Sequence, residues 1–153
     1  MPLTDLVASN AVIPALKVNT KKQAIQSLAE RAAELTGQSE RAILEVLMQR
    51  EKLGSTAVGS GVAIPHGKLS KLNRVFGLFA RLAKPIDFEA MDGQPVDLIF
   101  LLLAPEGAGA DHLKALARVA RLLRDPEVAR KLRESGDTDA IYAVLAMQPA
   151  SAA

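Results

Sequence analysis

The stretch "VDLIFLLLA", residues 96–104, is apolar at every position except Asp97. A strand with one wet face alternates apolar and polar residues, so an unbroken run of this kind calls for cover on both faces. It ends at Pro105 and is far too short to span a bilayer. Helices must therefore lie on two sides of a sheet, and the rest of the chain supplies them.

Thr20-Lys-Lys-Gln23 has the form of a capping box, and Gly37 is a natural helix stop. Ala24, Ile25, Leu28, Ala32 and Leu35 recur between them at helical spacing. Ser39 caps a second predicted helix with Ile43, Leu44 and Leu47 inward and Gly54 at its end. Short strands are predicted at "TAV" and "GVAIP", a longer one over 74–83, and another over 96–104. Asp92-Gly93 carries turn chemistry between the last two. Residues 111–124 form a helix whose stripe is read as Leu113, Leu116, Ala117, Ala120 and Leu123. Asp125-Pro126 opens the next helix, which Gly136 stops. Asp137 or Thr138 starts the last, through Ile141, Val144 and Leu145. The expected fold class is α/β: a single domain over 3–147 with a mixed sheet flanked by helices, and a disordered tail over 148–153.

The chain has 153 residues, enough for one domain with a core of its own. Aromatics are 3% against 49% apolar, so Leu, Val, Ile and Ala must build that core. No cysteine is present, which rules out disulfides and thiolate metal sites. The start "MPLTDLVASN" lacks the basic-then-apolar pattern of a secretory signal, so a cytoplasmic protein is expected. A net charge of +2 is not that of a nucleic-acid binder, and no aromatic interleaves the basic residues for base stacking. The basic residues do cluster, however: Lys114, Arg118, Arg121, Arg124, Arg130, Lys131 and Arg133 are either a solvated face or a docking surface for an acidic partner.

Only two histidines occur, His66 and His112. His66 stands in "GSGVAIPHGK". A lone histidine can be a satisfied structural residue. A metal ligand needs partners that this chain lacks: there is no cysteine and no His-x-x-x-His helix, so no metal and no cofactor are expected. No Gly-x-Ser-x-Gly stretch points to a hydrolase. The local chemistry favours a nucleophile. Pro65 holds Ile64 extended, Gly67 leaves the far side free to turn, and the imidazole is presented at a strand end with little bulk around it. His112 follows the next strand and a glycine-rich loop, in the first turn of a helix if Gly109, Ala110 or Asp111 caps it. The dipole there favours a bound anion and disfavours the imidazolium, unless His112 is simply a polar first-turn residue.

The stretches "MQREKLGSTAVGSGVAIPHGK" and "PIDFEAMDGQPVDLIFLLLAPEGAGADHLKALARVARLL" resemble the enzyme IIA proteins of the bacterial phosphotransferase system, fructose/mannitol type. The likeness runs over about residues 3–147, and the start of the chain resembles the nitrogen-related branch. The resemblance implies a mixed five- or six-stranded sheet flanked by helices. It implies a phosphotransferase in which His66 is phosphorylated by a histidine-containing phosphocarrier, His112 is its active-site partner, and Arg50 of "QREKLGST" neutralises the phosphoryl group. For the nitrogen-related branch it implies regulation of partners such as potassium transport systems and sensor kinases. A sugar-specific enzyme IIA passing phosphoryl to a permease-linked domain, and a binding module that has lost transfer, are the alternatives.

Overall fold

The computed structural model describes residues 3–147; the tail expected over 148–153 lies outside them. The six strands are β1 (Val12–Leu16), β2 (Ala57–Gly59), β3 (Val62–Ala63), β4 (His66–Leu69), β5 (Phe76–Ile86) and β6 (Val96–Pro105). The helices are α1 (Lys21–Thr36), α2 (Glu40–Lys52), α3 (Ala110–Arg124), α4 (Pro126–Glu134) and α5 (Thr138–Leu145). The sheet order is β1-β5-β6-β3-β2, with β4 also against β6. Pairs β1/β5, β3/β6 and β4/β6 are parallel, while β2/β3 and β5/β6 are antiparallel, so the sheet is mixed as expected.

In β6, residues 98–104 are all buried. Helix α2 packs on β4 and α1 on β5, while α3 and α4 reach β6 and α5 reaches β1. The caps are those the sequence predicts. Thr20 Oγ1 accepts the Gln23 N–H at 3.1 Å, Ser39 Oγ accepts the Ala42 N–H at 3.2 Å, and Asp125 and Asp137 cap α4 and α5. Gln23 Oε1 in turn accepts the N–H of Asn19, one residue earlier than in a strict capping box.

Two strands were not legible as such. Pro14 sits inside β1, and proline argues against a strand unless the strand lies at an edge. β1 is that edge: it pairs with β5 alone, and Pro14 carbonyl accepts from Arg81 Nη1 at 3.0 Å. The second is β4. The pattern Pro65-His66-Gly67 predicts a strand that ends before His66 and a chain free to turn at Gly67. Instead β3 and β4 lie along the same edge of β6 in unchanged register, Val62 opposite Leu98 and His66 opposite Leu102. They are two halves of one line, broken only at Ile64-Pro65. Gly67 is there for space: a Cβ on it would lie 2.1 Å from Val46 Cγ1 of α2.

The face of α3 also differs from the expected stripe. His112, Ala115, Val119, Leu122 and Leu123 are its buried residues, Leu113 is 68% exposed, and Ala117 is exposed. Counting apolar residues alone turned the helix away from its true face, because a histidine holds the first inward position. The basic cluster is divided as well. Arg118 pairs with Asp5, Arg130 with Glu127 and Glu134, and Arg133 with Asp97. Lys114, Arg121 and Arg124 remain exposed on α3.

Gly67→Ala is expected to lower stability by about 1–3 kcal/mol through overpacking against α2, and Val46→Ala should recover part of the loss. Urea unfolding of the single and double variants measures this; a Gly67→Ala protein as stable as the wild type would contradict the close approach.

Candidate functional site

The site is built where β3 runs into β4. Pro65 carbonyl accepts Leu102 N–H at 2.9 Å in the register of the rest of the β6 ladder, and the alternate residue Ile64 faces away from β6 and donates its N–H to Thr56 carbonyl at 3.0 Å. Pro65 has no N–H, and there the ladder lapses. Thr56 N–H is turned to Glu51 Oε1 at 3.1 Å, so the Ile64 carbonyl is left for the next side chain. It accepts Nδ1–H of His66 at 2.8 Å. With Nδ1 as donor, the neutral ring carries its lone pair on Nε2.

Arg50, in the last turn of α2, donates Nε–H to that Nε2 at 3.3 Å and Nη1–H to Gly54 carbonyl at 3.0 Å. His112 stands on the other side in the first turn of α3, where Gly109 enters the helix at φ 54° and offers no side-chain cap. The two imidazoles meet edge to face, with centroids 5.7 Å apart. The structure thus brings together all three residues that the sequence singled out.

His112 is 7% exposed, and its Nε2 has no hydrogen-bond partner. A buried polar atom without a partner is costly and needs an explanation. A small anion beside the two rings would satisfy it if that nitrogen carries the ring proton. Beside His66 opens a cleft of about 180 Å³, lined by Arg50, Thr56, Val58, Ile64, Leu116 and Ala120 among others. Leu116 and Ala120, read as core residues of α3, are instead half-buried and form part of this wall. Among the described residues no three histidine, cysteine, aspartate or glutamate side chains converge to hold a metal ion.

Both imidazoles are held below the ordinary histidine value near 6.5. For His66 burial is the main cause and the Arg50 guanidinium adds to it, while the Ile64 carbonyl and Glu51 oppose. For His112 burial again leads, followed by His66 and Lys68. Both rings are therefore mainly neutral at pH 7, and a neutral His66 keeps a lone pair on Nε2.

Sequence reasoning missed Glu51 and Thr56. Thr56 is buried, its N–H donates to Glu51 Oε1 at 3.1 Å, and its hydroxyl donates to Oε2. Neither residue has a periodic or motif signal of its own. A charged residue directly before the loop that forms the cleft was the one available hint.

Histidines held below their unfolded value leave the folded chain with fewer bound protons than the unfolded one as pH falls through the region of 6.5. Acidification should therefore reduce stability from just above that value until the folded rings titrate, and these two groups cost nothing further below. Unfolding free energies measured between about pH 5 and pH 8 should show this slope in the wild type and a flatter one in His112→Gln. Equal slopes would contradict the burial of a neutral His112.

Comparison with known proteins shows the family. The family model for the phosphoenolpyruvate-dependent sugar phosphotransferase system, EIIA 2, matches residues 5–147. A nitrogen regulatory protein of Bradyrhizobium diazoefficiens is 76% identical over 153 residues, covering 100% of both chains. One from Klebsiella oxytoca is 37% identical over 146 residues, covering 95% of this chain and 90% of that protein. The crystal structure of the nitrogen regulatory protein IIA-Ntr from Neisseria meningitidis superposes with a TM-score of 0.88 at 32% identity, covering 94% of this chain and 98% of that one. A mixed sheet flanked by helices, a family match over nearly the whole chain and full-length similarity to nitrogen regulatory proteins lead to one conclusion: the chain belongs to the EIIA 2 family of the phosphotransferase system.

Proposed function

We propose that His66 accepts a phosphoryl group from a histidine-containing phosphocarrier and that the protein acts as a phosphorylation-dependent regulator in the cytoplasm. The observation that carries the reading is the pinned tautomer: Nδ1–H on the Ile64 carbonyl directs the lone pair of Nε2 toward Arg50 and the cleft. Family membership supports a phosphocarrier role in general, and similarity to nitrogen regulatory proteins favours regulation over sugar transport. No helix among the described residues is long and apolar enough to cross a membrane.

The step is an in-line transfer between two imidazoles. The Nε2 lone pair of His66 attacks phosphorus, the donor P–N bond breaks, and its electron pair returns to the donor ring nitrogen. His66 becomes an N-phosphorylated imidazolium that keeps its Nδ1 proton against Ile64 carbonyl. Arg50 Nε occupies the lone pair at rest, so the guanidinium swings from Nε2 to the arriving phosphoryl oxygens. Its planar fork suits that second position better than the first. His112 Nε2, without a partner at rest, is the second contact to those oxygens if it carries the ring proton. Catalysis is then positioning plus charge neutralisation.

The phosphoryl group carries close to two negative charges near neutral pH and the ring that keeps its Nδ1 proton one positive charge, so the site gains about one net negative charge against a whole-chain formal charge of +2. The charge arrives beside α3, whose Lys114, Arg121 and Arg124 are exposed. A partner such as a potassium transport protein or a sensor kinase that docks there meets a changed local field, so its affinity depends on the phosphoform.

With phosphoenolpyruvate, the first enzyme of the system and the phosphocarrier, the wild type should gain one acid-labile, base-stable phosphoryl group seen by intact mass. His66→Ala should gain none, and normal labelling of that variant would overturn the site. Arg50→Ala and His112→Ala should fold and label roughly 10²–10³-fold more slowly, the usual loss of one transition-state contact. Wild-type rates in both would remove them from the site. Calorimetry of a physiological partner against the two phosphoforms should give different affinities; equal affinities would end the regulatory reading and leave transfer to a permease-linked domain.

A further inference from the structure

Glu51 plays no part in the transfer step above, yet it is held unusually firmly. Its side chain is 5% exposed. Oε1 meets Lys21 Nζ of α1 at 2.9 Å and accepts the Thr56 N–H at 3.1 Å, and Oε2 accepts the Thr56 hydroxyl. Lys21 is itself fixed, 3.3 Å from Glu89 Oε1 and 5.0 Å above the Phe88 ring. Burying a carboxylate is costly, and this one is satisfied on both oxygens. Thr56 lies opposite Ile64: its carbonyl accepts Ile64 N–H at 3.0 Å, while its own N–H is turned to Glu51, which leaves the Ile64 carbonyl to accept His66 Nδ1–H at 2.8 Å. Glu51, braced from α1 by Lys21, thus fixes the pair of residues whose free carbonyl holds the imidazole.

We propose that Glu51 is a positioning residue for His66, acting through Thr56 and Ile64 to hold the Nδ1–H tautomer and to keep Nε2 basic enough to take a phosphoryl group. This rests on the phosphoryl-transfer reading and adds to it the source of the nucleophile's strength. Because Thr56 N–H is committed to Glu51, the Ile64 carbonyl is left for the ring. The charge also acts directly. The titratable and charged groups facing His66 are Arg50 and Glu51 from α2 and His112 from α3, with Lys68 beyond it on β4. Burial and Arg50 push the ring toward a weaker base, while Glu51 pushes back. The site needs Arg50 for the phosphoryl oxygens, but Arg50 weakens the nitrogen that must attack. Glu51 offsets that weakening from a buried position, where its charge cannot repel the incoming phosphoryl group at contact.

The test combines two readouts. Ring-nitrogen NMR follows His66 titration in the unphosphorylated protein, and steady-state labelling by the phosphocarrier gives kcat and KM. Glu51→Gln keeps shape and an acceptor for Thr56 but removes the charge. His66 should then titrate lower than in the wild type. kcat should fall roughly fivefold, the effect of about one lost hydrogen bond's worth of stabilisation, with KM for the donor unchanged. Lys21→Gln removes a cation from the same cluster, so His66 should titrate higher; this variant also reads the effect if Glu51→Gln does not fold. A purely structural role would lower stability in both variants without moving His66 in opposite directions. Unmoved titration in both variants, or a fall in kcat with unmoved titration, overturns the proposal. If the wild type accepts no phosphoryl group, the functional reading fails, and the titrations still decide whether Glu51 governs His66.

Discussion

The hydrogen bond from His66 Nδ1 to the Ile64 carbonyl is the contact on which the site depends. A neutral imidazole can place its proton on either nitrogen, and only one choice leaves Nε2 with a lone pair. The fold makes that choice through strand alternation. β3 and β4 share one register along β6, so Pro65 faces β6 and Ile64 faces the other way, where its N–H meets Thr56 carbonyl. Thr56 N–H is taken by Glu51, and the Ile64 carbonyl is left for the ring.

Around this contact the electrostatics are divided between rest and reaction. At rest both histidines are neutral, chiefly because burial disfavours the imidazolium, and Arg50 rests on the lone pair of His66. On the proposed reading, the same burial would strengthen contacts to a phosphoryl anion. The buried Nε2 of His112 lacks a partner in the resting protein, and such an anion would supply one.

Much of the fold could be read from local chemistry. Thr20, Ser39, Asp125 and Asp137 announce helix starts because a short oxygen-bearing side chain satisfies free N–H groups. The apolar run in β6 announces two-sided cover. What escaped depended on contacts distant in sequence. β1 carries a proline that only its edge position permits. Gly67 looks like a turn residue until Val46 is placed against it. α3 was turned the wrong way because a histidine, not a leucine, takes its first buried position. In the site, His66, Arg50 and His112 stood out through a glycine-flanked Pro-His, a helix-end arginine and a helix-start histidine, together with the family resemblance. Glu51 and Thr56 did not, since their contacts join α1, α2 and the strand of Ile64, which lie far apart in sequence.

The most direct measurement of the central claim is which imidazole nitrogen carries phosphorus. Protein labelled with ¹⁵N in its histidines, phosphorylated by the phosphocarrier, and observed by ¹⁵N and ³¹P NMR reports the bonded nitrogen. The account predicts a one-bond phosphorus coupling to Nε2 of His66, with Nδ1 still protonated and hydrogen-bonded. Coupling to Nδ1, or phosphorus on any residue other than His66, would contradict it.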